Sequence, residues 1–373
     1  MNQLADIMRR EMAGRGAITF ARFMELALYC PGLGYYESPE TQVGQKGDFY
    51  TSVSVGSLLG ELLAFQFAGW LEESGASPWQ LLEAGAHDGQ LAADILNWLS
   101  QRRPELLARF EYWILEPSER RRRRQQETLA AYKERVRWFS SWAELPATGV
   151  RGVIFSNELL DAFPVHRIGW DASRQRWFEW GVSQTGDHFA WVRLPVEDRA
   201  RVMGPARFPW PELPSEVQAV LPDGFTTENG LAAQAWWRQA AQALTEGRLL
   251  TIDYGLETEQ FFAPQRAQGT LRAYQRHHAN ADLLARVGEQ DLTAHINFAD
   301  LRRVGEEAGL ETAELTAQAT FLTRIAEKIW RPNARFGEWT PARGRQFQTL
   351  THPEHLGRPF QVLVQSRCAR RGG

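Results

Sequence analysis

The sequence has few cysteines and no long apolar segment. Its two cysteines, Cys30 and Cys368, lie in no C-x-x-C pair and at no cysteine/histidine spacing typical of zinc sites. This argues against a disulfide framework or a structural metal, and it favours a reducing compartment. No run approaches the roughly 20 apolar residues of a membrane-spanning helix, and residues 1–15 lack the uninterrupted hydrophobic core of a signal peptide. We therefore expect a cytoplasmic protein without a membrane span.

An excess of charge of either sign is also missing. The formal net charge is −3, so electrostatics gives no reason to expect binding to nucleic acid or to a membrane surface. The 373 residues contain 43% hydrophobic residues and no internal repeat or low-complexity tract. Such a chain can bury a large core, and its length exceeds the ~250 residues that one core usually supports. The composition indicates an α/β domain with an elaboration.

The segment 79–96 carries the strongest local signal. A short apolar run ends at Glu83, turns through Gly85 and Gly89, and opens into a helix whose apolar residues recur at helical spacing. Gly85 can take a positive φ or let a ligand approach the backbone, and the helix start offers unpaired N–H groups. This pattern predicts a nucleotide-binding turn. Alone, it fits NAD, FAD or S-adenosylmethionine, or a simple strand-to-helix connection.

Strand and helix patterns alternate along the chain, which predicts a mostly parallel sheet of seven strands with right-handed crossovers. After the strand that ends at Glu83, the expected strands lie near 111–116, 136–139, 150–156, 249–254, 311–317 and 359–365, the last two antiparallel. Alternating residues within 166–194 predict an inserted antiparallel meander. The predicted organisation is an N-terminal helical cap and lid (1–75), a core (76–162 and 228–373) and a β-rich insert (163–227) on the substrate side.

Polar side chains follow several of these strands, where an open parallel sheet binds its ligands. Glu116, followed by Pro117, suits a ribose, because a carboxylate can accept hydrogen bonds from both vicinal hydroxyls. The alternative is an acid that compensates a helix dipole. Asn157 precedes Glu158 and Asp161, and in a helical turn those two acids would share one face. The alternative is helix capping by Asn157 with solvated acids.

Spaced motifs between about residues 18 and 320 match one known family. They are 23–31 (FMELALYCP), 34–36 (GYY), 47–49 (GDF) with 51–52 (TS), 116–118 (EPS), 157–158 (NE) with 161–162 (DA), 253–255 (DYG), 269–274 (GTLRAY) and 288–295 (GEQDLTAH). With them the chain resembles the MidA-like class I S-adenosylmethionine-dependent methyltransferases. That family includes a mitochondrial complex I assembly methyltransferase that acts on a protein arginine.

The resemblance implies a Rossmann-like class I methyltransferase sheet, S-adenosylmethionine as the cofactor and a protein arginine as the acceptor, with a respiratory complex subunit as a suggested partner. The implied catalytic residues are Glu158, Asp161 and Asn157, since carboxylates can orient and neutralise a guanidinium bidentately. The implied cofactor-binding residues are Glu83, Gly85, Ala86, Gly89, Glu116, Pro117, Asp48, Thr51, Ser52 and Asn157. The implied substrate-binding residues are Glu228, Asp291, Thr293 and His295. Residues 48–52 are expected to close over the cofactor and exclude water.

One position departs from the family pattern. The family's first motif runs Glu-x-Gly-x-Gly-x-Gly, and His87 stands at the middle glycine. A side chain therefore occupies the place that the methionine part of the cofactor would approach. Two alternatives stay open: an assembly or scaffold protein that keeps the fold without turnover, and a nicotinamide-dependent oxidoreductase that shares the strand-turn-helix pattern.

Overall fold

The computed structural model describes residues 2–38, 51–74, 78–194, 208–275, 278–354 and 356–368. The chain forms two compact units. The first comprises Met1–Phe49, Asp161–Ala233 and Leu256–Asn297, and the second comprises Tyr50–Leu160, Gln234–Gly255 and Phe298–Gly373. No helix in the described part of the chain has both the length and the apolar character needed to cross a membrane.

The seven predicted strands of the main sheet are all present, together with strands that were not predicted. The α-helices are α1 (Gln3–Ala13), α2 (Phe20–Tyr29), α3 (Leu58–Ser74), α4 (Gln90–Arg102), α5 (Pro104–Leu107), α6 (Glu119–Thr128), α7 (Ser215–Val220), α8 (Leu231–Ala243), α9 (Thr258–Phe261), α10 (Phe298–Glu307), α11 (Gln318–Ile329) and α12 (Pro341–Thr351). The strands are β1 (Ala17–Thr19), β2 (Trp79–Ala84), β3 (Phe110–Leu115), β4 (Val136–Phe139), β5 (Val150–Asn157), β6 (His166–Asp171), β7 (Arg176–Thr185), β8 (His188–Leu194), β9 (Thr226–Asn229), β10 (Leu244–Leu256), β11 (Arg272–Gln275), β12 (His278–Asn280), β13 (Asp291–Thr293), β14 (Ile296–Asn297), β15 (Glu311–Ala317) and β16 (Phe360–Arg367).

The second unit is built on a sheet in the order β4-β3-β2-β5-β10-β16-β15. The five strands from β4 to β10 pair in parallel, and β16 pairs antiparallel with both β10 and β15. The mostly parallel, Rossmann-like sheet is thereby confirmed. The prediction of two antiparallel strands is wrong in one detail: β15 runs in the direction of β10, so of the strands in this order β16 alone is reversed.

The core of the second unit lies on both faces of this sheet. Leu81 of β2 and Phe155 of β5 are completely buried, as are Leu59 and Phe67 of α3 and Leu96 of α4. These residues belong to one apolar cluster that also includes side chains of α11 and β16. Because both faces of the sheet are buried, the sequences of the parallel strands contain nearly continuous apolar runs.

A pair of glycines brings β5 and β10 unusually close. Gly247 has a φ of +119°, and a Cβ on it would lie 1.9 Å from the carbonyl oxygen of Gly152. Helix α8 ends at Ala243, and Gly247 lies inside β10. A glycine is as useful for close backbone approach within a strand as for ending a helix.

The first unit contains the predicted antiparallel meander, β6 to β8, which is confirmed and extended by β1 and β9. A separate three-stranded sheet, β12-β11-β13, was not predicted. Helices α1 and α2 contribute Met8, Phe20 and Phe23 to an apolar cluster that includes Leu271 and Leu292 beside this second sheet.

Residues 1–49 of the predicted cap and the predicted insert belong to the same unit, and the longest segments that differ from the predicted division are helix α3 and residues 256–297. Helix α3, predicted within the N-terminal cap, belongs to the second unit because its apolar residues share a core with β2. Residues 256–297, predicted within the core, belong to the first unit, where Leu271 and Ala273 pack with α1 and α2.

Candidate active site

The turn between β2 and α4 has the geometry of a close ligand approach. Gly85 and Gly89 have φ values of +73° and +87°, as the glycine pattern predicted. A Cβ on Gly85 would lie 2.7 Å from Cδ1 of Leu159, so a larger residue would displace the loop after β5. The N–H of Gly89 donates to the carbonyl of Ala86 at 2.6 Å, which closes the turn as α4 begins. The turn therefore has no room for a side chain at Gly85.

His87 has a backbone conformation that glycine adopts more readily than other residues. Its φ is +47°, in the left-handed region that costs an L-residue about 1–2 kcal/mol. The imidazole is 37% exposed, and its Nδ1 lies 3.6 Å from a carboxylate oxygen of Asp88. The turn therefore carries a conformational cost at this residue.

We expect the substitution His87→Gly to raise the free energy of unfolding by up to about 1 kcal/mol, since relief of the left-handed conformation exceeds the entropy cost of glycine. The affinity for S-adenosylmethionine should be at least as high, because the carbonyl of residue 87 is kept. Calorimetric titration and thermal unfolding measure the two effects.

Gln175→Gly is the matched control for that variant, because Gln175 has the same φ of +47° in the turn between β6 and β7. It should stabilise the protein without changing cofactor affinity. A tenfold or larger loss of affinity in His87→Gly, on the order of 1.4 kcal/mol, would show instead that the imidazole contacts the cofactor.

Glu116 lies directly after β3 and is 2% exposed. Its Oε1 accepts the backbone N–H of Ser118 at 2.9 Å, and its Oε2 accepts Nε2 of Gln125 at 3.3 Å. A guanidinium nitrogen of Arg121 lies 3.9 Å from Oε2. The carboxylate is thus held in a fixed orientation, and a carboxylate is the type of group that accepts hydrogen bonds from ribose hydroxyls.

Glu83, at the end of β2, is buried at 2% exposure. The hydroxyl of Tyr112 donates to its Oε2 at 2.6 Å. Burial raises the pKa of Glu83 to about 8, and the nearby charges of Asp88 and Asp94 act in the same direction. Burial also raises the pKa of Asp94 to about 6. A bound cation would stabilise the ionised forms of Glu83 and Asp94 near the glycine turn.

Asn157 and Glu158 form one hydrogen-bonded group at the end of β5. Oε1 of Glu158 accepts the backbone N–H of Ser52 at 2.8 Å and Nδ2 of Asn157 at 3.0 Å. Burial raises the pKa of Glu158 despite these donors. Oδ1 of Asn157 is buried and has no hydrogen-bond partner among the described residues. A buried amide oxygen in this position is suited to accept an N–H or O–H group from a ligand.

The loop after β5 is held by Asp253, which is completely buried. Its Oδ2 accepts the backbone N–H groups of Leu159 and Leu160 at 3.1 and 2.8 Å, and burial raises its pKa. Glu158 has a φ of +50° and lies outside the 3-10 helix Leu160–Ala162, which contains Asp161. The two acids therefore do not lie in one helical turn, the arrangement that would place them on one face.

The predicted lid residues are partly described. Thr51 accepts the N–H of Ser54 at 3.1 Å and so begins the 3-10 turn Val53–Val55. Ser52 is fully buried, and its hydroxyl has no hydrogen-bond partner in the described ranges. Asp48 lies outside the described residues.

The second unit therefore contains the glycine turn, Glu116, the hydrogen-bonded pair of Asn157 and Glu158, and the Ser52 hydroxyl. Together they form a set of hydrogen-bond donors and acceptors that fits a nucleoside with a cationic side chain.

Asp161 and Asp291 lie in the first unit, near two tyrosines. The hydroxyl of Tyr36 donates to Oδ2 of Asp291 at 2.9 Å, and that of Tyr29 donates to the carbonyl of Ala162. The two tyrosine rings stack with centroids 5.6 Å apart. Burial raises the pKa of Tyr36 well above its usual value, and the charges of Asp291 and Asp161 add to this effect. Both carboxylates are more than nine-tenths buried.

The remaining predicted substrate residues form a second network in the first unit. Oε2 of Glu228 accepts both the N–H and the hydroxyl of Thr270, at 2.8 and 2.9 Å, and the Thr270 hydroxyl oxygen accepts the N–H of His295. Burial, with two nearby arginines, lowers the pKa of His295 to about 4, so its imidazole is neutral at physiological pH. Thr293 lies in β13, paired with β11. We assign this network to holding the loop rather than to proton transfer.

The family model, the mouse and human relatives and one solved structure that this chain matches all point to a methyltransferase. Residues 62–316 match the family model for S-adenosyl-L-methionine-dependent methyltransferases. The mouse protein arginine methyltransferase NDUFAF7, mitochondrial, is 30% identical over 97% of this chain and 85% of its own length, and the human protein of the same name is 28% identical over 94% and 80%. A crystal structure from Burkholderia thailandensis, a methyltransferase candidate bound to S-adenosyl-homocysteine, has a TM-score of 0.80 at 32% identity and covers 98% of this chain and 92% of that one.

The expected cytoplasmic location is wrong by this comparison, because the fly, mouse and human relatives are all named as mitochondrial proteins. The expectation depended on two unpaired cysteines and on the composition of the first residues. Unpaired cysteines indicate reducing surroundings and do not distinguish one reducing compartment from another.

Proposed function

The chain belongs to the S-adenosyl-L-methionine-dependent methyltransferase family, and from that premise we propose that it methylates an arginine side chain of a protein. The cofactor, when bound, supplies an electrophilic methyl group. Methylating a guanidinium forms one N–C bond, breaks one S–C bond and releases one proton. The site must therefore orient one nitrogen and accept a proton, since an arginine is otherwise always protonated. The mouse and human relatives, named as protein arginine methyltransferases, support this acceptor.

The observation that carries the proposal is the pair at the end of β5. The buried, unpartnered Oδ1 of Asn157 is an acceptor for one N–H of the reacting nitrogen. The carboxyl of Glu158, whose pKa is raised by burial, is suited to take up the released proton. Its hydrogen bonds to Ser52 and Asn157 hold it in one orientation. Orientation contributes much of the rate in a displacement of this kind.

We assign the binding of the cofactor to residues at the same edge of the sheet. The backbone of Gly85, Ala86 and Gly89 offers close approach, and Glu116 with Pro117 suits the ribose. Glu83 would stabilise positive charge, and Thr51 and Ser52 would cover the site. These assignments are supported by the lack of room for a side chain at Gly85 and by the buried Ser52 hydroxyl.

Within the first unit, Asp161 and Asp291 are the acidic residues that the resemblance implies for catalysis and for substrate binding, respectively. Asp161 and Asp291 are buried carboxylates, and a guanidinium pairs bidentately with such groups. The stacked rings of Tyr29 and Tyr36 add flat surfaces on which a guanidinium packs favourably. Two carboxylates and two aromatic rings discriminate in favour of a planar cation over a lysine ammonium.

The proposal is tested with an extract from a strain that lacks this chain, incubated with the purified protein and S-adenosylmethionine carrying a labelled methyl group. We expect label on a guanidino nitrogen of a discrete protein, a respiratory complex subunit being the acceptor that the resemblance suggests. Mass spectrometry of the labelled peptide locates the methyl group. Label on lysine, carboxylate or hydroxyl groups alone would refute the arginine acceptor while leaving the methyltransferase activity intact.

A further inference from the structure

Gln125 has a completely buried side-chain amide with three defined partners. Nε2 donates to the carbonyl of His87 at 3.0 Å and to Oε2 of Glu116 at 3.3 Å, while Oε1 accepts Nε1 of Trp138 at 3.1 Å. An indole N–H can only donate, so the oxygen must face Trp138 and the NH₂ group must face the other two. The orientation of the amide is therefore fixed by its neighbours.

The position of this amide on its helix is unusual. Helix α6 is strongly charged, and Gln125 is the buried residue among its ten, all of which are described. A buried helix position is ordinarily filled by an apolar side chain, because a buried amide is costly unless each of its polar atoms is hydrogen-bonded. The bonds of Gln125 reach the glycine turn, 38 residues away in sequence, and Glu116 after β3, nine residues away.

We propose that Gln125 is a positioning residue for the cofactor, one that holds the glycine turn and the ribose-binding carboxylate in a fixed relation. One NH₂ group binds both the turn and Glu116, so the carboxylate keeps the orientation in which it can accept the two hydroxyls of a ribose. The inference rests on the proposed ribose role of Glu116. Gln125 thereby determines selectivity for a ribose over a deoxyribose.

The test measures the dissociation constants of S-adenosylhomocysteine and its 2′-deoxy analogue by calorimetry, without turnover. We expect wild type to prefer the ribose form, and Gln125→Met to reduce that preference about tenfold, since a hydrogen bond to a charged group is lost. Gln126→Met, at the exposed neighbouring position, is the matched control and should leave the preference unchanged. Gln125→Glu should weaken both ligands, because it sets a carboxylate against that of Glu116.

Two further variants separate the possible failures. If Glu116→Gln keeps the full ribose preference, the ribose role of Glu116 is wrong, and the inference falls with it. If Glu116→Gln loses the preference and Gln125→Met keeps it, only the positioning role is wrong. Should Gln125→Met fail to fold, Trp138→Phe removes the donor that fixes the amide, and it should also reduce the preference; an unchanged ratio there would overturn the proposal.

Discussion

Replacing Glu158 with glutamine is expected to lower kcat by about 10²–10⁴-fold, the usual contribution of a positioned proton acceptor. The affinity for S-adenosylhomocysteine should change little. Oε1 of Glu158 accepts hydrogen bonds from Ser52 and Asn157, and a glutamine oxygen can accept the same two. The variant therefore keeps the local structure and removes only the group that takes up the proton. Single-turnover kinetics and calorimetry measure the two quantities separately.

The pH dependence gives an independent check on that role. Burial raises the pKa of Glu158, and the group must be deprotonated to accept a proton, so the rate of wild type should rise with pH through this raised pKa. In Glu158→Gln the corresponding rise should be absent. Glu127→Gln, at an exposed position on α6, is the control and should keep both the rate and its pH profile. A Glu158→Gln enzyme with near wild-type kcat would remove Glu158 from the chemistry.

The sheet could be predicted because its signals are local. Strands β2, β3 and β5 contain short apolar runs, and Gly85 and Gly89 mark the ligand turn, where both have a positive φ. The direction of β15 could not be predicted, because a strand's direction depends on the path of the connections and not on its own residues. The sheet β12-β11-β13 was missed because its strands have three or four residues, too few for a periodic pattern.

The sequence predicted which polar residues follow the ends of the strands, but it did not predict the hydrogen bonds that connect them. Asp253 is 94 residues from Leu159, whose N–H it accepts, and no local pattern links the two. Gln125 stands beside Gln126 in a polar run, and the sequence does not distinguish them. The one available signal was helical phase: Leu129, buried four residues later, places Gln125 on the inward side of α6.

Replacing Glu83 with glutamine is expected to stabilise the free protein at alkaline pH. The pKa of Glu83 is about 8 in the folded chain, against an ordinary value of 4.5. Between these values the folded state binds the additional proton, so stability is full below pH 4.5 and is lost as pH rises through 8. A neutral amide removes this loss and can still accept the Tyr112 hydroxyl. The gain at pH 8 should be on the order of 4 kcal/mol, with none below pH 4.5 and none in the exposed control Glu134→Gln.

The same substitution should weaken cofactor binding, although it stabilises the protein. S-adenosylmethionine carries a sulfonium and an ammonium charge, whereas S-adenosylhomocysteine lacks the sulfonium. If Glu83 stabilises that charge, Glu83→Gln should lose affinity for the charged cofactor by about tenfold at pH 8, as expected for a lost charge-assisted interaction, and lose less for the product. Binding to wild type should also release a proton, which calorimetry in buffers of different ionisation enthalpy detects. A more stable variant with unchanged affinity and no proton release in wild type would make Glu83 purely structural, a buried acid kept neutral by the core.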